Sequence, residues 1–191
     1  MGTRQLQPQE LEGLVGRFNQ QKTVRERAQG MGVPFPDFVF DLLISRDLYT
    51  LVGNTAEPAP YLKPALQGPR GFSMVISKVE PGEGPGLHTH KSTTEIFVVL
   101  DGKFSIQCGD KGEHAVVLER FDSIVVPPDL MRRYQNVSDQ TAHLLAIVTG
   151  GEDNLSELDY VPAIGQQIES KGSPQLRNAL EGIGVRFTAG T

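Results

Sequence analysis

Two histidines and a glutamate are spaced so that one strand and the next can bring them to a single point. His88 and His90 are two residues apart, so on an extended strand their side chains point to the same face. Four residues then allow a tight reversal, and Glu95 opens the apolar run 96–100, which predicts a returning strand. Two neutral nitrogens and one carboxylate on one face are typical of a site that binds a first-row divalent ion and leaves coordination positions open.

Glycines at both ends of this run complete a longer pattern. With Gly82 before it and Gly102 after it, the run resembles the first sequence motif of the cupin superfamily: glycine, five residues, His-x-His, four residues, Glu, six residues, glycine. The resemblance covers roughly residues 70–150. It implies an all-β fold, the double-stranded β-helix (the jelly-roll or cupin barrel), in which the two histidines and the glutamate are metal ligands.

The second cupin motif is altered in this chain. In the family it carries two glycines, a proline, a histidine that is the remaining metal ligand, and an asparagine. Pro127 and Asn136 are in place. Phe121 and Asp129 replace the two glycines, and Arg132 stands where the histidine is expected. The proline and the asparagine of the motif are kept, but an arginine stands at its metal-ligand position.

Arg132 raises an electrostatic problem for a bound ion. A guanidinium about 5 Å from a divalent ion would repel it by roughly 7 kcal/mol at an effective dielectric constant of about 20. Two outcomes are open. Glu95 accepts a bidentate hydrogen-bonded pair from Arg132, and the ion binds weakly or not at all. Alternatively, Arg132 swings toward the mouth of the barrel and faces an anionic group of a ligand, while three residues hold the ion.

Side chains along a strand point alternately into and out of the barrel, which predicts the direction of the residues next to Glu95 and Arg132. If Glu95 faces the lumen, Phe97 faces it too, and an inward Arg132 carries Tyr134 inward. We therefore predict that Arg132, Tyr134 and Phe97 contact the substrate. The outward residues of 96–100 are too apolar to leave in water, so the N-terminal arm, the C-terminal helix or a second subunit should cover them. The cupin resemblance favours a sheet-to-sheet homodimer.

Composition limits the class of protein. A chain of 191 residues with 21 Gly and 13 Pro suits one all-β domain with many turns. The net charge of -5, without a basic cluster, gives no support for a nucleic-acid or membrane partner. The apolar runs are short and no apolar signal core begins the chain, so we predict a soluble, cytoplasmic protein. Cys108 is the single cysteine, which excludes an internal disulfide.

Turn signals divide the chain into three predicted regions. Residues 1–69 form a helical and extended N-terminal arm that packs on the barrel, 70–150 form the cupin barrel, and 151–191 form a C-terminal helical extension. Asp101-Gly102 predicts a two-residue hairpin turn. Eight apolar segments separated by turn residues predict the barrel strands: 72–79, 87–90, 95–100, 103–108, 114–118, 123–126, 131–136 and 142–149.

The two extensions carry weaker signals. Residues 11–18 place four apolar side chains on one helical face, although two glycines weaken that helix. The runs 38–43 and 48–52 fit a helix or a strand equally well. The proline-rich stretch 54–69 predicts an extended connector around the barrel. In the tail, Ser173 as N-cap and Pro174 at the first position predict a helix that ends near two glycines.

These observations favour a small-molecule-binding cupin that acts as a metal-dependent enzyme on a small anionic organic substrate. The cupin resemblance implies dioxygenase-like chemistry with iron, or isomerase- or lyase-like chemistry with manganese, zinc or nickel, and names no catalytic residue. The alternative is a non-catalytic, metal-free binding or sensing protein in which Arg132 pairs with Glu95 or with an anion. A third reading is a structural dimer with a vestigial site. The altered second motif supports both alternatives.

Overall fold

The structure is a computed structural model that describes residues 3–54, 59–151 and 157–191. Within these residues the chain forms two β-sheets with helices at both ends. The strands are β1 (Asp47–Gly53), β2 (Leu66–Gln67), β3 (Phe72–Val79), β4 (His88–His90), β5 (Thr94–Val99), β6 (Lys103–Cys108), β7 (His114–Glu119), β8 (Ser123–Val126), β9 (Arg132–Asn136), β10 (Ala142–Thr149) and β11 (Leu158–Tyr160). The helices are α1 (Pro8–Glu12), α2 (Val24–Gly30), α3 (Asp37–Leu43), α4 (Pro162–Lys171) and α5 (Pro174–Gly182).

The two sheets interleave strands that are distant in sequence. One sheet has six strands in the order β2-β1-β3-β10-β5-β8, and the other has five in the order β11-β4-β9-β6-β7. Every pairing is antiparallel except that of β1 with β2. Most successive barrel strands alternate between the sheets in the manner of a jelly roll, whereas β6 and β7 are neighbours within the five-stranded sheet. The structure thus confirms a double-stranded β-helix with helical extensions.

All eight predicted barrel strands are present, but the turn between β5 and β6 differs from the prediction. Asp101-Gly102 does not close a hairpin, because β5 lies in the six-stranded sheet and β6 in the five-stranded sheet. The turn instead carries the chain from one sheet to the other. Gly102 has a φ of 72°, and a Cβ there would lie 2.4 Å from the Ala142 Cβ, so only glycine fits. A turn signal marks a change of direction and does not tell which sheet the chain joins next.

The space between the sheets is the barrel core. Side chains of both sheets meet there and are buried, among them Phe97, Val99, Phe104, Ile106, Tyr134 and Leu144. The inward direction predicted for Phe97 and Tyr134 is therefore confirmed. A second apolar cluster joins α3, α4 and α5 around Tyr160. It anchors the C-terminal extension to the end of the barrel where β4 lies.

The outer face of the six-stranded sheet is apolar across several strands. Ile96 and Val98 on β5 point outward and are half-buried, and they lie opposite Ile147 and Leu145 of β10. On the far side of β5, Val125 of β8 pairs with Ile96 and is 62% exposed. A second subunit as the cover of this face stays a prediction.

The N-terminal region contributes strands as well as helices. The helix predicted over 11–18 is wrong: α1 ends at Glu12, Gly13 caps it, and Leu11 and Leu14 are exposed. The glycine interrupts the helix before the apolar face is complete. The two ambiguous runs become α3 and β1, and β1 extends the six-stranded sheet beside β3.

The remaining parts of both extensions are ordered by turns and caps. The predicted connector contains a 3₁₀ turn (Pro60–Leu62) and β2, and its residues 55–58 lie outside the described residues. In the tail, the Ser173 hydroxyl accepts a hydrogen bond from the Leu176 amide, which confirms the predicted cap of α5. The domain boundaries near 70 and 150 stay predictions. No helix in the described ranges combines the length and apolar content that a bilayer crossing requires.

Candidate metal centre

Three donor side chains from two facing sheets converge inside the barrel. His88 and His90 extend from β4 of the five-stranded sheet, and Glu95 extends from β5 of the six-stranded sheet. All three are buried, and their ligand atoms lie within 4.8 Å of one another. Four residues carry the chain from one sheet to the other, which is why the spacing between His90 and Glu95 produces this convergence. The predicted metal-ligand set is thus brought together in one place.

Both imidazoles are oriented by hydrogen bonds on their Nδ1 atoms. His88 Nδ1 lies 2.8 Å from the Gly86 carbonyl oxygen, which can only accept, so Nδ1 carries the proton. His90 Nδ1 lies 2.9 Å from the Thr93 hydroxyl. These contacts leave the Nε2 atoms for a ligand. Hydrogen bonds that fix the ring of a ligating histidine are a common feature of metal sites.

Burial keeps both imidazoles neutral. Loss of hydration, together with the positive charge of Arg132, lowers the pKa of His88 to about 3. Burial, then His88 and Arg132, lowers the pKa of His90 to about 2. A histidine must be neutral to ligate a metal ion. At neutral pH His88 Nε2 therefore carries no proton that an ion would have to displace, because the one proton of this ring is on Nδ1.

Arg132 occupies the place of a fourth ligand and turns toward the glutamate. It lies on β9 directly opposite His88 of β4 and is 0% exposed. Its Nε donates to Glu95 Oε2 at 3.1 Å, and its Nη1 donates to the Leu130 carbonyl at 3.0 Å. The swing of Arg132 toward the barrel mouth does not occur. The predicted pair with Glu95 is present, but through one hydrogen bond instead of a bidentate pair.

The single hydrogen bond leaves polar capacity on both partners. Arg132 Nη2 is buried and has no hydrogen-bond partner among the described residues. Burial raises the pKa of Glu95, and the charge and hydrogen bond of Arg132 work against that rise. An ionised carboxylate has about four lone-pair sites. Glu95 can therefore accept from Arg132 and still offer an oxygen to an ion.

The backbone keeps the glycine geometry of the second motif without the glycines. Phe121 has a φ of 74° and Asp129 a φ of 60°, in the left-handed region where glycine is normally found. Aspartate tolerates this region better than most residues, whereas for a bulky phenylalanine it is a strained conformation. The surrounding turn is thus determined by the barrel and not by these two residues. Arg132 is held in the register of the replaced histidine.

A cavity of about 180 Å³ opens beside the donors. His88, His90 and Glu95 form part of its wall, and Tyr134 lines it as well. Phe97 and Arg132 are not among the lining residues that the described chain provides. The assignment of Arg132, Tyr134 and Phe97 as substrate contacts stays a prediction.

Tyr134 is fixed by hydroxyl neighbours on both sides. Its hydroxyl lies 2.7 Å from Ser77 Oγ and 3.1 Å from Ser45 Oγ. Burial raises the pKa of Tyr134 to about 12, so the phenol stays protonated. Its ring packs edge-on against Phe97 with centroids 5.5 Å apart. Tyr134 therefore lines the cavity as a neutral phenol whose hydroxyl is held by Ser77 and Ser45.

Tyr160 belongs to the site although the sequence gives no sign of it. It lies on β11, which pairs with β4 so that Tyr160 is opposite His88. The two rings are 5.1 Å apart, and the Tyr160 hydroxyl donates to the Leu43 carbonyl at 2.5 Å. Tyr160 thus packs on a donor ring and joins the C-terminal extension to α3. A pairing over 72 residues leaves no local pattern to detect.

The titration of the buried histidines predicts acid sensitivity. In the unfolded, metal-free chain both take up protons near their ordinary pKa of 6.5, and in the folded protein they do not. The unfolded state then binds more protons, so the free energy of unfolding falls as the pH decreases from about 6.5 toward 3, by up to about 1.4 kcal/mol per pH unit for each histidine. Glu95 acts in the opposite sense above its ordinary value of 4.5, because its pKa is raised in the folded protein.

Urea unfolding of the metal-free protein at about pH 6.5 and about pH 5 measures this slope. The variant His90→Gln should lose about one histidine's share of the slope. The exposed variant His114→Gln is the control, since its side chain is in contact with water, and it should leave the slope unchanged. Equal slopes in the wild type and His90→Gln would contradict the assignment of neutral, buried imidazoles.

Comparisons with known proteins agree with this architecture. The family model described as "Cupin domain" matches residues 75–148. A cupin protein from Bacteroides fragilis is 30% identical over 44% of this chain and 69% of that chain, with a TM-score of 0.39. A cupin-like protein from Thermotoga maritima is 21% identical over 54% and 67% of the two chains, with a TM-score of 0.44. No match is found among curated proteins.

A further similar structure is a sugar phosphate isomerase of the cupin superfamily from Silicibacter pomeroyi, 22% identical over 44% of this chain and 54% of that chain, with a TM-score of 0.38. The fold and the two-histidine, one-glutamate site define a protein with a β-barrel that can hold a metal ion. The chain belongs to the cupin superfamily.

Proposed function

We propose that the protein is a metal-dependent enzyme that binds a divalent ion through His88, His90 and Glu95 and acts on a small anionic organic substrate. The observation that supports this proposal is the convergence of three buried donor groups within 4.8 Å beside a cavity. The donor set suits iron, manganese, zinc and nickel, and it does not select among them. A dioxygenase-like reaction and an isomerase- or lyase-like reaction are both consistent with such a centre.

The residues of the chain have distinct roles in this proposal. A divalent ion, when bound, supplies Lewis acidity toward a substrate oxygen atom. His88 and His90 present neutral Nε2 atoms in fixed ring orientations, and Glu95 supplies negative charge. Arg132 holds the carboxylate through Nε and limits how much of its charge reaches the ion. Tyr134 lines the cavity as a protonated, neutral phenol.

Metal titration of chelator-treated protein tests the proposal. We expect one ion of manganese, iron, nickel or zinc per chain, measured by calorimetry and by elemental analysis after dialysis. Turnover is tested separately, by dioxygen uptake and by product analysis with a panel of small carboxylic and hydroxy acids, with and without the ion. Absence of saturable binding for all four ions would contradict the metal proposal. Binding without turnover of any substrate in the panel would favour the binding function below.

A metal-free binding or sensing protein is the second candidate. The observation that favours it is the buried contact between Arg132 and Glu95, which places a permanent positive charge beside the donors. In this case the variant Arg132→His should create an affinity for manganese or nickel that the wild type lacks, since it removes the charge and adds an imidazole. If the wild type binds as tightly as the variant, the metal-free candidate is wrong.

The oligomeric state and the cellular location of the protein are also proposals. We propose a homodimer that buries the apolar outer face of the six-stranded sheet, supported by the half-buried Ile96 and Val98 and the exposed Val125. We also propose a cytoplasmic location, with neither a nucleic acid nor a membrane as partner, supported by the net charge of -5. The proposed binding partners are then a divalent ion, a small anionic molecule and a second copy of the chain.

A further inference from the structure

The cavity wall is polar at the three donor residues and mostly apolar elsewhere. Beyond His88, His90 and Glu95, most of the lining side chains are apolar, among them Leu43, Leu48, Val52, Leu62, Val75 and Val148. The described lining residues include no lysine, no arginine and no aspartate, and Glu95 is their one carboxylate. Apart from Thr50, Asn54, Ser73, Ser77 and two tyrosines, the wall beyond the donors is therefore apolar.

Segments outside the residues that the family model matches build most of this apolar wall. The family model matches residues 75–148, whereas α3 supplies Leu43, β1 supplies Leu48 and Val52, and the C-terminal strand β11 supplies Leu158. These segments are particular to this chain relative to the family model. The shape and polarity of the ligand are consequently determined by the extensions, and membership of the superfamily does not reveal them.

Positive charge is not available to a ligand along this wall. Arg132 is 0% exposed and donates to Glu95 and to the Leu130 carbonyl, and it does not line the cavity. A charge moved out of water without a partner is strongly disfavoured. A ligand with two separated anionic groups could place one at the donor end, and the second would meet apolar side chains, neutral hydroxyls and the Asn54 side chain, with no positive charge among the described lining residues.

The volume limits the size of the body that fits. A cavity of about 150 Å³ lined by apolar side chains accommodates benzene, and this cavity has a volume of about 180 Å³. By the same ratio, an apolar body of about seven non-hydrogen atoms fits. The apolar bodies of benzoate and of medium-length aliphatic acids have that size, and the acidic group of such a ligand would lie beyond the body, at the donors.

We propose that the ligand is a monoacid with an apolar body about the size of benzoate, its acidic group at His88, His90 and Glu95 and its body against Leu48 and Val75. The placement of the acidic group rests on the proposed metal function. The placement of the body rests on the apolar wall alone. Sugar phosphates and dicarboxylates are excluded as ligands by this proposal.

Calorimetric binding to the metal-loaded protein tests the ligand class with four probes. Benzoate is the full ligand, acetate has the acidic group alone, succinate has two separated charges, and benzyl alcohol has the ring without a charge. We expect benzoate to bind at least about tenfold more tightly than acetate or succinate, because only its ring removes apolar surface from water in the cavity. Succinate binding as tight as that of benzoate would overturn the proposal.

Filling the cavity tests the position of the body. The variant Val75→Phe places a larger ring in the cavity and should weaken benzoate and benzyl alcohol binding by about tenfold or more while leaving acetate unchanged. The matched control Val117→Phe lies on β7, where Val117 is 54% exposed, and should leave all four affinities unchanged. Unchanged benzoate binding in a folded Val75→Phe protein would overturn the proposal. If that variant does not fold, the wild-type probe series decides.

The same probes separate this proposal from the metal function. In chelator-treated protein, benzyl alcohol should still bind, and Val75→Phe should still weaken it. If no metal binds but benzyl alcohol behaves in this way, the metal function fails and the apolar cavity stands. If the metal binds and succinate matches benzoate, the metal function stands and the ligand class proposed here is wrong.

Discussion

Replacement of Glu95 by alanine should lower the free energy of unfolding of the metal-free protein by about 3–5 kcal/mol. The variant leaves Arg132 buried, 0% exposed, without its carboxylate partner. A guanidinium does not lose its proton in proteins, so it has no means of becoming neutral. Urea unfolding at neutral pH, followed by circular dichroism, measures the difference.

Matched variants separate the effect of losing the Glu95 charge from the effect of losing its side-chain volume. Glu95→Gln keeps the volume and an oxygen that accepts from Arg132 Nε, so its loss should be smaller than that of Glu95→Ala. Arg132→Met leaves a glutamate that can take up a proton, because burial already raises its pKa. The double variant Glu95→Gln/Arg132→Met should recover much of the stability, since replacement of a whole buried pair is often close to neutral. Equal stabilities of the wild type and Glu95→Ala would show that the ion pair is not buried as described.

Replacement of His88 by alanine should weaken divalent-ion binding by more than about 100-fold. Loss of a residue that only orients a ligand already costs about 10–100-fold in metal affinity, and His88 supplies a donor atom itself. Removal of one of three donors leaves the ion with two ligands, while its repulsion by the positive charge of Arg132 stays the same. Titration of chelator-treated protein with manganese or nickel gives the affinity.

The matched control for this variant is His114→Ala. His114 is exposed on β7 and has no part in the donor group, so its removal should leave the affinity within error of the wild type. The fold of His88→Ala is checked by its urea midpoint. If His88→Ala keeps the wild-type affinity, the ion binds elsewhere, and the proposed centre is wrong.

Much of the barrel could be predicted because its signals are local. The alternation of Glu95 and Phe97, and of Arg132 and Tyr134, follows from the geometry of a strand and is confirmed by their burial. The convergence of the three donors followed from spacing within eight residues. The competition between Arg132 and an ion for Glu95 followed from charge alone.

The remaining features depend on contacts between distant parts of the chain. A bidentate pair would need Arg132 Nη2 as a second donor to Glu95, and Nη2 makes no hydrogen bond among the described residues. The Leu130 carbonyl holds Nη1 instead, and only the local path of the backbone places that carbonyl there. The pairing of β11 with β4 that places Tyr160 on His88 has no marker in the sequence. Likewise, Asp101-Gly102 predicts a turn, but the packing of the two sheets determines that this turn connects a strand of one sheet to a strand of the other.

The strand β4, which carries His88 and His90, lies between β9 and β11. Both of its edges are therefore paired only after β11 has been synthesised. A nascent chain that has released only its barrel from the ribosome has β4 paired on one side, to β9. The other edge of β4 gains its neighbour after residues 158–160 emerge, and Tyr160 reaches His88 at the same moment. The pocket around the proposed metal ligands is therefore complete only when the C-terminal segment is present.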